Sequence, residues 1–114
     1  MEAEFVMKVL IATSAYQKHL DQIYQFNPEL ENLSLTEQTS FLQKKLASSF
    51  EYWSREFQKK GWDSVITYVN LKRFQNTWLK EHGFKADFNE LHPESTFLKQ
   101  VQYYKPDLIF LFDH

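Results

Sequence analysis

Three groups of polar residues come directly after apolar runs that have the length and composition of buried strands. Thr13, Ser14, Tyr16 and Gln17 follow the first run, Asn70 follows the second, and Asp113 and His114 follow the third. In an open parallel sheet, ligands bind beyond the carboxyl ends of the strands. The hydroxyl, amide, carboxylate and imidazole groups of these residues can form hydrogen bonds with a small molecule. We therefore expect one substrate site at the edge of the sheet where the strands end.

Each of these groups also has a purely structural interpretation. Thr13 and Ser14 could cap the helix that follows the first strand, and Asn70 could cap the next helix, because all three residue types are favoured at that position. Asp113 and His114 could be frayed and inert at a chain end. The sequence alone leaves both interpretations open for every group.

The composition argues against several other kinds of site. The chain has no cysteine, and its four histidines do not have the spacing of metal ligands, so no metal site is predicted. Only two of the 114 residues are glycine, which argues against a glycine-rich phosphate-binding loop. The formal net charge is −2 and no basic stripe is present, so nucleic acid is not a predicted partner.

The sequence favours a folded cytoplasmic protein. Hydrophobic residues make up 43% of the chain, which is enough for a packed core. The longest apolar runs, residues 6–12 and 108–112, are too short to cross a bilayer. Glu2 and Glu4 stand where a signal peptide would carry basic residues. We therefore expect no transmembrane segment and no export.

Apolar runs alternate with amphipathic segments along the chain. Strands are predicted at residues 6–12, 65–69 and 107–112, and helices at residues 18–26, 35–60, 71–82 and 93–105. Ser34 and Glu37 form a capping-box pattern before the longest helix. Gly61 and Gly83 stand at helix ends, where a left-handed residue is expected. Strands that alternate with helices indicate βαβ units and a parallel sheet.

The predicted fold is a small Rossmann-like α/β unit of three layers, with about three parallel strands and four to five helices. Residues 1–6 are predicted to be an N-terminal extension and residues 7–114 the domain. Complete doubly wound domains have about five or six strands, so we expect an incomplete sheet with an open edge. An open edge can recruit another chain by strand addition. A non-catalytic interaction module that self-associates or pairs with a partner is therefore one candidate function.

The third predicted strand resembles that of a response-regulator receiver. Residues 105–113 read Lys-Pro-Asp-Leu-Ile-Phe-Leu-Phe-Asp, and in a receiver the aspartate at the end of this strand accepts a phosphate. Asp113 would take that role. A receiver also has acidic residues after its first strand to hold magnesium, whereas this chain has Ala12, Thr13 and Ser14 there. A degenerate receiver-like domain is therefore a further alternative.

A second resemblance covers most of the chain. The segments that carry it are residues 7–16 (Met-Lys-Val-Leu-Ile-Ala-Thr-Ser-Ala-Tyr), 57–62 (Phe-Gln-Lys-Lys-Gly-Trp) and 105–110 (Lys-Pro-Asp-Leu-Ile-Phe). In this order, with a long helical insertion after the first, they resemble the N-terminal domain of bacterial GT-B glycosyltransferases. The chain would correspond to about the first half of such a domain.

This resemblance implies the acceptor-binding side of a glycosyltransferase. In that family the nucleotide-sugar donor is held mainly by a C-terminal domain, so no cofactor is expected in this chain. The 114 residues are expected to be inactive by themselves. The acceptor, a sugar, a lipid or another small molecule, would bind above residues 13–17. Asp113 or His114 would act as the general base toward the acceptor hydroxyl.

Overall fold

The computed structural model describes residues 6–14, 17–46 and 49–113. In chain order its elements are β1 (Lys8–Ser14), α1 (Gln17–Phe26), a 3₁₀ helix (Pro28–Asn32), α2 (Leu35–Leu46), α3 (Ser49–Lys59), β2 (Asp63–Tyr68), α4 (Lys72–Glu81), α5 (Glu94–Tyr104) and β3 (Leu108–Asp113). The three strands form one parallel sheet in the order β2-β1-β3. The predicted Rossmann-like α/β fold is confirmed.

The central strand is β1, which is apolar on both faces. Val9, Leu10 and Ile11 are completely buried. Ile11 lies in register between Ile66 of β2 and Phe110 of β3. A strand without a polar face has to be covered on both sides, so it occupies the middle of the sheet.

Helices α1, α2 and α3 cover one face of the sheet. Val9 and Ile11 pack in one core cluster with buried residues from α1, the 3₁₀ helix, α2 and the start of α4, namely Leu20, Ile23, Tyr24, Leu30, Leu42, Leu71 and Phe74. From α3, the rings of Trp53 and Phe57 lie 5.5 and 5.9 Å from the ring of Phe110 on β3. This face of the sheet is therefore closed from β2 across to β3.

Helix α5 packs on the opposite face of the sheet. Gln100 of α5 accepts a hydrogen bond of 2.8 Å from the buried hydroxyl of Thr67 on β2. Helix α4 runs beside β2. Its Phe74 packs edge-to-face on Tyr68, and its Gln75 donates a hydrogen bond to Thr67, the neighbouring strand residue. Since neighbouring strand residues point to opposite faces, α4 contacts both sides of β2.

The outer strand β3 is less well covered than β2. Leu108, Ile109 and Leu111 keep 40, 39 and 72% of their surface exposed. Within the described residues, β1 is the strand that pairs with β3, and its other side has no strand partner. The sheet is therefore open on the β3 side.

Two helical segments differ from the prediction. In place of one helix over residues 35–60, the structure has α2 and α3 on either side of residues 47–48, which lie outside the described residues. Helix α2 contacts α4, whereas α3 contacts β1 and β2, so the two helices have different packing partners. Residues 28–33, predicted as a loop, contain the 3₁₀ helix, because Pro28 suits a first helical turn and Leu30 is buried in the core.

The roles predicted for Ser34, Gly61 and Gly83 at helix ends are confirmed. The Glu37 amide donates a hydrogen bond of 3.2 Å to the Ser34 hydroxyl, and the same hydroxyl lies 3.0 Å from the Glu37 carboxylate. Gly61 and Gly83 have φ angles of 84° and 79°, in the left-handed region. Both glycines therefore stand where a side chain would strain the backbone.

The segment that begins at Lys105 has a structural role of its own. Lys105 is left-handed, with φ 49°, and ends α5. The carboxylate of Asp107 accepts a hydrogen bond of 2.8 Å from the Lys8 amide, and the Asp107 amide donates one of 2.8 Å to the Lys8 carbonyl. These residues therefore turn the chain and fix the start of the β1–β3 pairing.

Candidate functional site

The parallel register brings the ends of the strands together. Ser14, the last residue of β1, pairs with Asp113, the last residue of β3, and Thr13 pairs with Tyr68 of β2. The connection from β1 to β2 packs on one face of the sheet, and α5 of the next connection packs on the other. In an open α/β sheet, the crevice between two strands whose connections leave on opposite faces is the preferred ligand site. In this chain that crevice lies between β1 and β3.

A cleft of about 380 Å³ lies at this crevice. It is bounded by the end of β1, by Leu111 of β3, by the residue after β2 and by the first turn of α5. Its lining residues are Ala12, Ser14, Val69, Pro93, Glu94, Phe97 and Leu111. Most of this surface is apolar, with a hydroxyl and a carboxylate as its polar side-chain groups. Ligand pockets typically combine an apolar wall with a few polar groups in this way.

The site residues that were predicted after the first strand do not all lie at the cleft. Ser14 is partly exposed and lines the cleft. Thr13 is completely buried, and its hydroxyl has no hydrogen-bond partner within the described chain. Tyr16 lies outside the described residues. Gln17 is the first residue of α1, so its backbone lies at the same edge of the sheet.

The other predicted site residues are also near the strand ends. Asn70 is half-buried in the turn after β2. The residue at the N-cap position of α4 is Leu71, so the alternative in which Asn70 caps this helix does not hold. Asp113 is placed by its register with Ser14, and His114 lies outside the described residues.

Glu94 is a polar group of the cleft that the sequence analysis did not single out. It is the first residue of α5, and its carboxylate bonds to its own backbone amide. It also lies 3.1 Å from Nδ1 of His92. The backbone hydrogen bond, followed by the His92 contact, lowers the pKa of Glu94 below its usual value. Glu94 is therefore a carboxylate at neutral pH and can accept a hydrogen bond from a hydroxyl or an ammonium group.

The place of Glu94 at the cleft could have been predicted from the sequence. Crossover helices run antiparallel to the strands they connect, so each such helix begins at the edge where the preceding strand ends. Pro93 predicts the start of the last helix correctly. The first turn of that helix, Glu94 to Phe97, was therefore a candidate for the same site as Ser14.

A second depression runs along α4 and is larger, at about 790 Å³. Its charged lining residues are Asp21, Glu31, Lys72, Arg73, Lys80 and Glu90. Arg73 and Glu31 already pair at 3.6 Å. The three cations and three carboxylates balance one another, and the depression lies between helices and loops. It therefore has no net charge that would select a ligand.

In the part of the chain that the structure describes, no group of three or more His, Asp or Glu side chains could hold a metal ion. None of the described helices is long and apolar enough to span a bilayer.

Comparisons of the chain with protein-family models, with curated protein sequences and with solved structures found no match. A function for this chain has to be inferred from its own residues.

Proposed function

We propose that the chain is the acceptor-binding part of a GT-B-like glycosyltransferase. The observation that carries the proposal is the cleft at the carboxyl ends of β1 and β3, which combines an apolar wall with Ser14 and Glu94. Its position agrees with the general rule for ligand sites in open parallel sheets. The resemblance of residues 7–16, 57–62 and 105–110 to the N-terminal domain of these enzymes supports the choice of reaction.

In this proposal the polar groups have separate tasks. The Ser14 hydroxyl and the Glu94 carboxylate hold a hydroxyl of the acceptor by hydrogen bonds. Because its pKa is lowered, Glu94 is a weak base and is better suited to orient that hydroxyl than to deprotonate it. The proton is taken by Asp113, the register partner of Ser14, or by His114. The nucleotide-sugar donor binds to a C-terminal domain beyond these 114 residues.

We expect octyl glucoside, which joins an apolar tail to sugar hydroxyls, to bind at this cleft. In a nuclear magnetic resonance titration of the labelled chain, the amides of Ser14, Val69 and Leu111 should shift together. Ser14→Ala should weaken binding about threefold to tenfold, because a neutral hydrogen bond contributes about 0.5–1.5 kcal/mol. The chain mixed with octyl glucoside and UDP-glucose should transfer no sugar.

A matched control is available on α5. Ser95 is exposed and does not line the cleft, so Ser95→Ala should leave the affinity unchanged. Equal effects of the two substitutions, or shifts that cluster on another surface, would contradict the proposed acceptor site. Sugar transfer by the chain alone would contradict the proposal that the donor binds to a second domain.

The open side of β3 favours a second candidate, an interaction module that self-associates. Leu108, Ile109 and Leu111 expose apolar surface on this strand, and β-strands with an unpaired edge add further strands readily. In this candidate a second copy of the chain pairs its β3 with the first.

Self-association through β3 predicts that a charge on this strand will prevent it. The molar mass from light scattering over a concentration series should rise toward that of a dimer for the unmodified chain and stay that of a monomer for Ile109→Lys. Leu91→Lys is the control, because Leu91 is 84% exposed in a loop. A monomeric unmodified chain at all concentrations would remove this candidate. Thermal unfolding of Ile109→Lys should show that the variant is still folded.

A further inference from the structure

We infer that the ligand of the β1–β3 cleft is an amphiphile without negative charge, with an apolar ring or short chain and a hydroxyl or ammonium head. A compound that presents a phosphate or a carboxylate to this cleft is disfavoured. The inference deepens the proposed function and rests on it, because it names the class of acceptor that the same cleft accepts.

The apolar part of the ligand is specified by four side chains from different elements. Ala12 of β1, Val69 after β2, Leu111 of β3 and Phe97 of α5 form the wall of the cleft. Leu111 is 72% exposed, so a ligand that covers it removes apolar surface from water. A volume of about 380 Å³ falls at the lower end of the usual range for ligand pockets. A bicyclic aromatic ring or an alkyl chain of similar size fits this space.

The charge of the ligand is specified by Glu94. Among the described residues that line the cleft, it is the charged one, and none of the lining residues is Lys or Arg. The lowered pKa of Glu94 keeps the carboxylate ionised at neutral pH. An anionic ligand would therefore meet repulsion without a cation to offset it.

The neighbouring basic residues do not reverse this sign. His92 pairs with Glu94 but is highly exposed, and its contact is screened by water. Lys99 is the lysine of α5, and its ammonium lies 5.9 Å from the ring centre of Phe84, which is not a lining residue. Neither group presents a positive charge to the apolar wall.

The start of a helix usually attracts anions, and the start of α5 lies at this cleft. Here Glu94 already places a carboxylate in the first turn of α5. A carboxylate or phosphate from a ligand would lie beside this negative charge. The polar end of the cleft is thus better suited to a hydrogen-bond donor than to a second acceptor.

A series of three naphthalene derivatives with one carbon skeleton tests this inference. The probes are 2-naphthylmethylamine, 2-naphthylmethanol and 2-naphthoate, which are cationic, neutral and anionic at neutral pH. In titrations that follow the Ser14, Val69 and Leu111 amides, we expect the amine and the alcohol to bind at the cleft. Naphthoate should bind about threefold to tenfold more weakly than the amine, since the exposed Glu94 carboxylate attracts a cation and repels an anion through charge that water partly screens.

Two substitutions show whether the preference for the amine over naphthoate depends on the negative charge of Glu94. Glu94→Gln should reduce the preference for the amine over naphthoate to within about twofold, because the amide is uncharged. Glu90→Gln removes an exposed carboxylate of the preceding loop that does not line the cleft, and the preference should remain. Naphthoate that binds as tightly as the amine, or a preference that Glu94→Gln leaves unchanged, would overturn the inference.

The outcome also separates this inference from the proposed function. If the naphthyl probes follow the expected order while octyl glucoside does not bind at Ser14, the charge preference holds and the glycosyltransferase acceptor site is rejected. If octyl glucoside binds at Ser14 while naphthoate equals the amine, the acceptor site holds and the preference against anions is rejected.

Discussion

Replacement of Gln100 by alanine is expected to lower the free energy of unfolding by about 3 kcal/mol. Three buried side chains form a closed ring of hydrogen bonds. Thr67 donates to the Gln100 carbonyl at 2.8 Å, Gln100 donates to the Gln75 carbonyl at 2.6 Å, and Gln75 donates to the Thr67 hydroxyl at 2.9 Å. Removal of one member leaves a buried donor and a buried acceptor without partners, at a cost of about 1–3 kcal/mol each.

Urea unfolding followed by far-ultraviolet circular dichroism measures this effect, and Gln102→Ala is its control. Gln102 is on the same helix and is exposed, so its replacement should change the free energy of unfolding by less than about 0.5 kcal/mol. A loss below about 1 kcal/mol for Gln100→Ala would mean that water replaces the missing groups. In that case the ring would not fix the position of α5.

The coupling between the two glutamines can be measured separately. Gln75 also donates a hydrogen bond of 2.6 Å to the Tyr68 carbonyl, so Gln75→Ala should destabilise the fold at least as much as Gln100→Ala. Because both substitutions break the same ring, the double variant should lose about 1 kcal/mol less than the sum of the two single losses. If the two losses in the free energy of unfolding are additive, Gln75 and Gln100 do not stabilise each other through the ring.

A third buried glutamine also links helices by hydrogen bonds. Gln38 of α2 accepts a hydrogen bond of 2.6 Å from the Tyr24 hydroxyl and donates one of 2.9 Å to the Thr77 hydroxyl. Burial is the main cause that raises the pKa of Tyr24, so its hydroxyl stays protonated and remains a donor. Polar side chains therefore link α1, α2 and α4 in addition to apolar packing.

The order of strands and helices could be predicted from the sequence because it depends on local patterns. Apolar runs gave the strands, and capping residues such as Ser34 and glycines such as Gly61 gave the helix ends. The buried glutamines could not be found in this way, since glutamine carries no periodic signal that separates a buried position from an exposed one. Gln100 is three residues after Phe97 and four before Tyr104, so helical spacing puts it on the same side of α5 as these two aromatic residues. This spacing is the signal in the sequence that Gln100 is buried.

Helix α5 shows how tertiary packing changes the details. The helical spacing of Phe97, Val101 and Tyr104 in the sequence predicts that they line its inner face, but these residues are only partly buried. The most deeply buried residues of this helix are Thr96 and Gln100. The helix is turned so that Gln100 meets Thr67, and this rotation leaves Phe97 at the wall of the cleft.

The candidate site was predictable in its location but not in its composition. The rule for strand ends led to Ser14 and Asp113, which the register brings together. It could not lead to Leu111 or Val69, because their contribution depends on which face each strand residue occupies. It also treated Thr13 and Ser14 alike, although neighbouring residues of a strand point to opposite faces. The alternation therefore places one in the core and the other in the cleft.

Replacement of Trp78 by alanine is expected to have the largest effect on stability, about 3–5 kcal/mol. Trp78 is 1% exposed and packs with Leu79 and Phe88 in a small second core. Its indole nitrogen donates a hydrogen bond of 2.9 Å to the Tyr104 hydroxyl, and its ring stacks on His82 at 4.2 Å. The substitution removes the contacts between α4, the end of α5 and the loop at Phe88, and it leaves a large cavity.

Trp53→Ala is the matched control, because it deletes the same side chain at a site that is 39% exposed on α3. It should cost less than half as much as Trp78→Ala, since less apolar surface returns to water and no buried partner is orphaned. Circular dichroism suits both variants, because the fluorescence of a tryptophan is lost with it. If Trp78→Ala unfolds the chain without denaturant, Trp78→Phe provides the measurement.

Trp78→Phe keeps an aromatic ring but leaves the half-buried Tyr104 hydroxyl without its donor, so a loss of about 1–3 kcal/mol is expected. Trp78 holds the C-terminal end of α5, whereas Glu94 and Phe97 line the cleft at its N-terminal end. The folded variant should therefore bind octyl glucoside with unchanged affinity while it unfolds at lower urea. If a variant that is still folded loses binding, the change in packing at Tyr104 alters the cleft at the other end of α5.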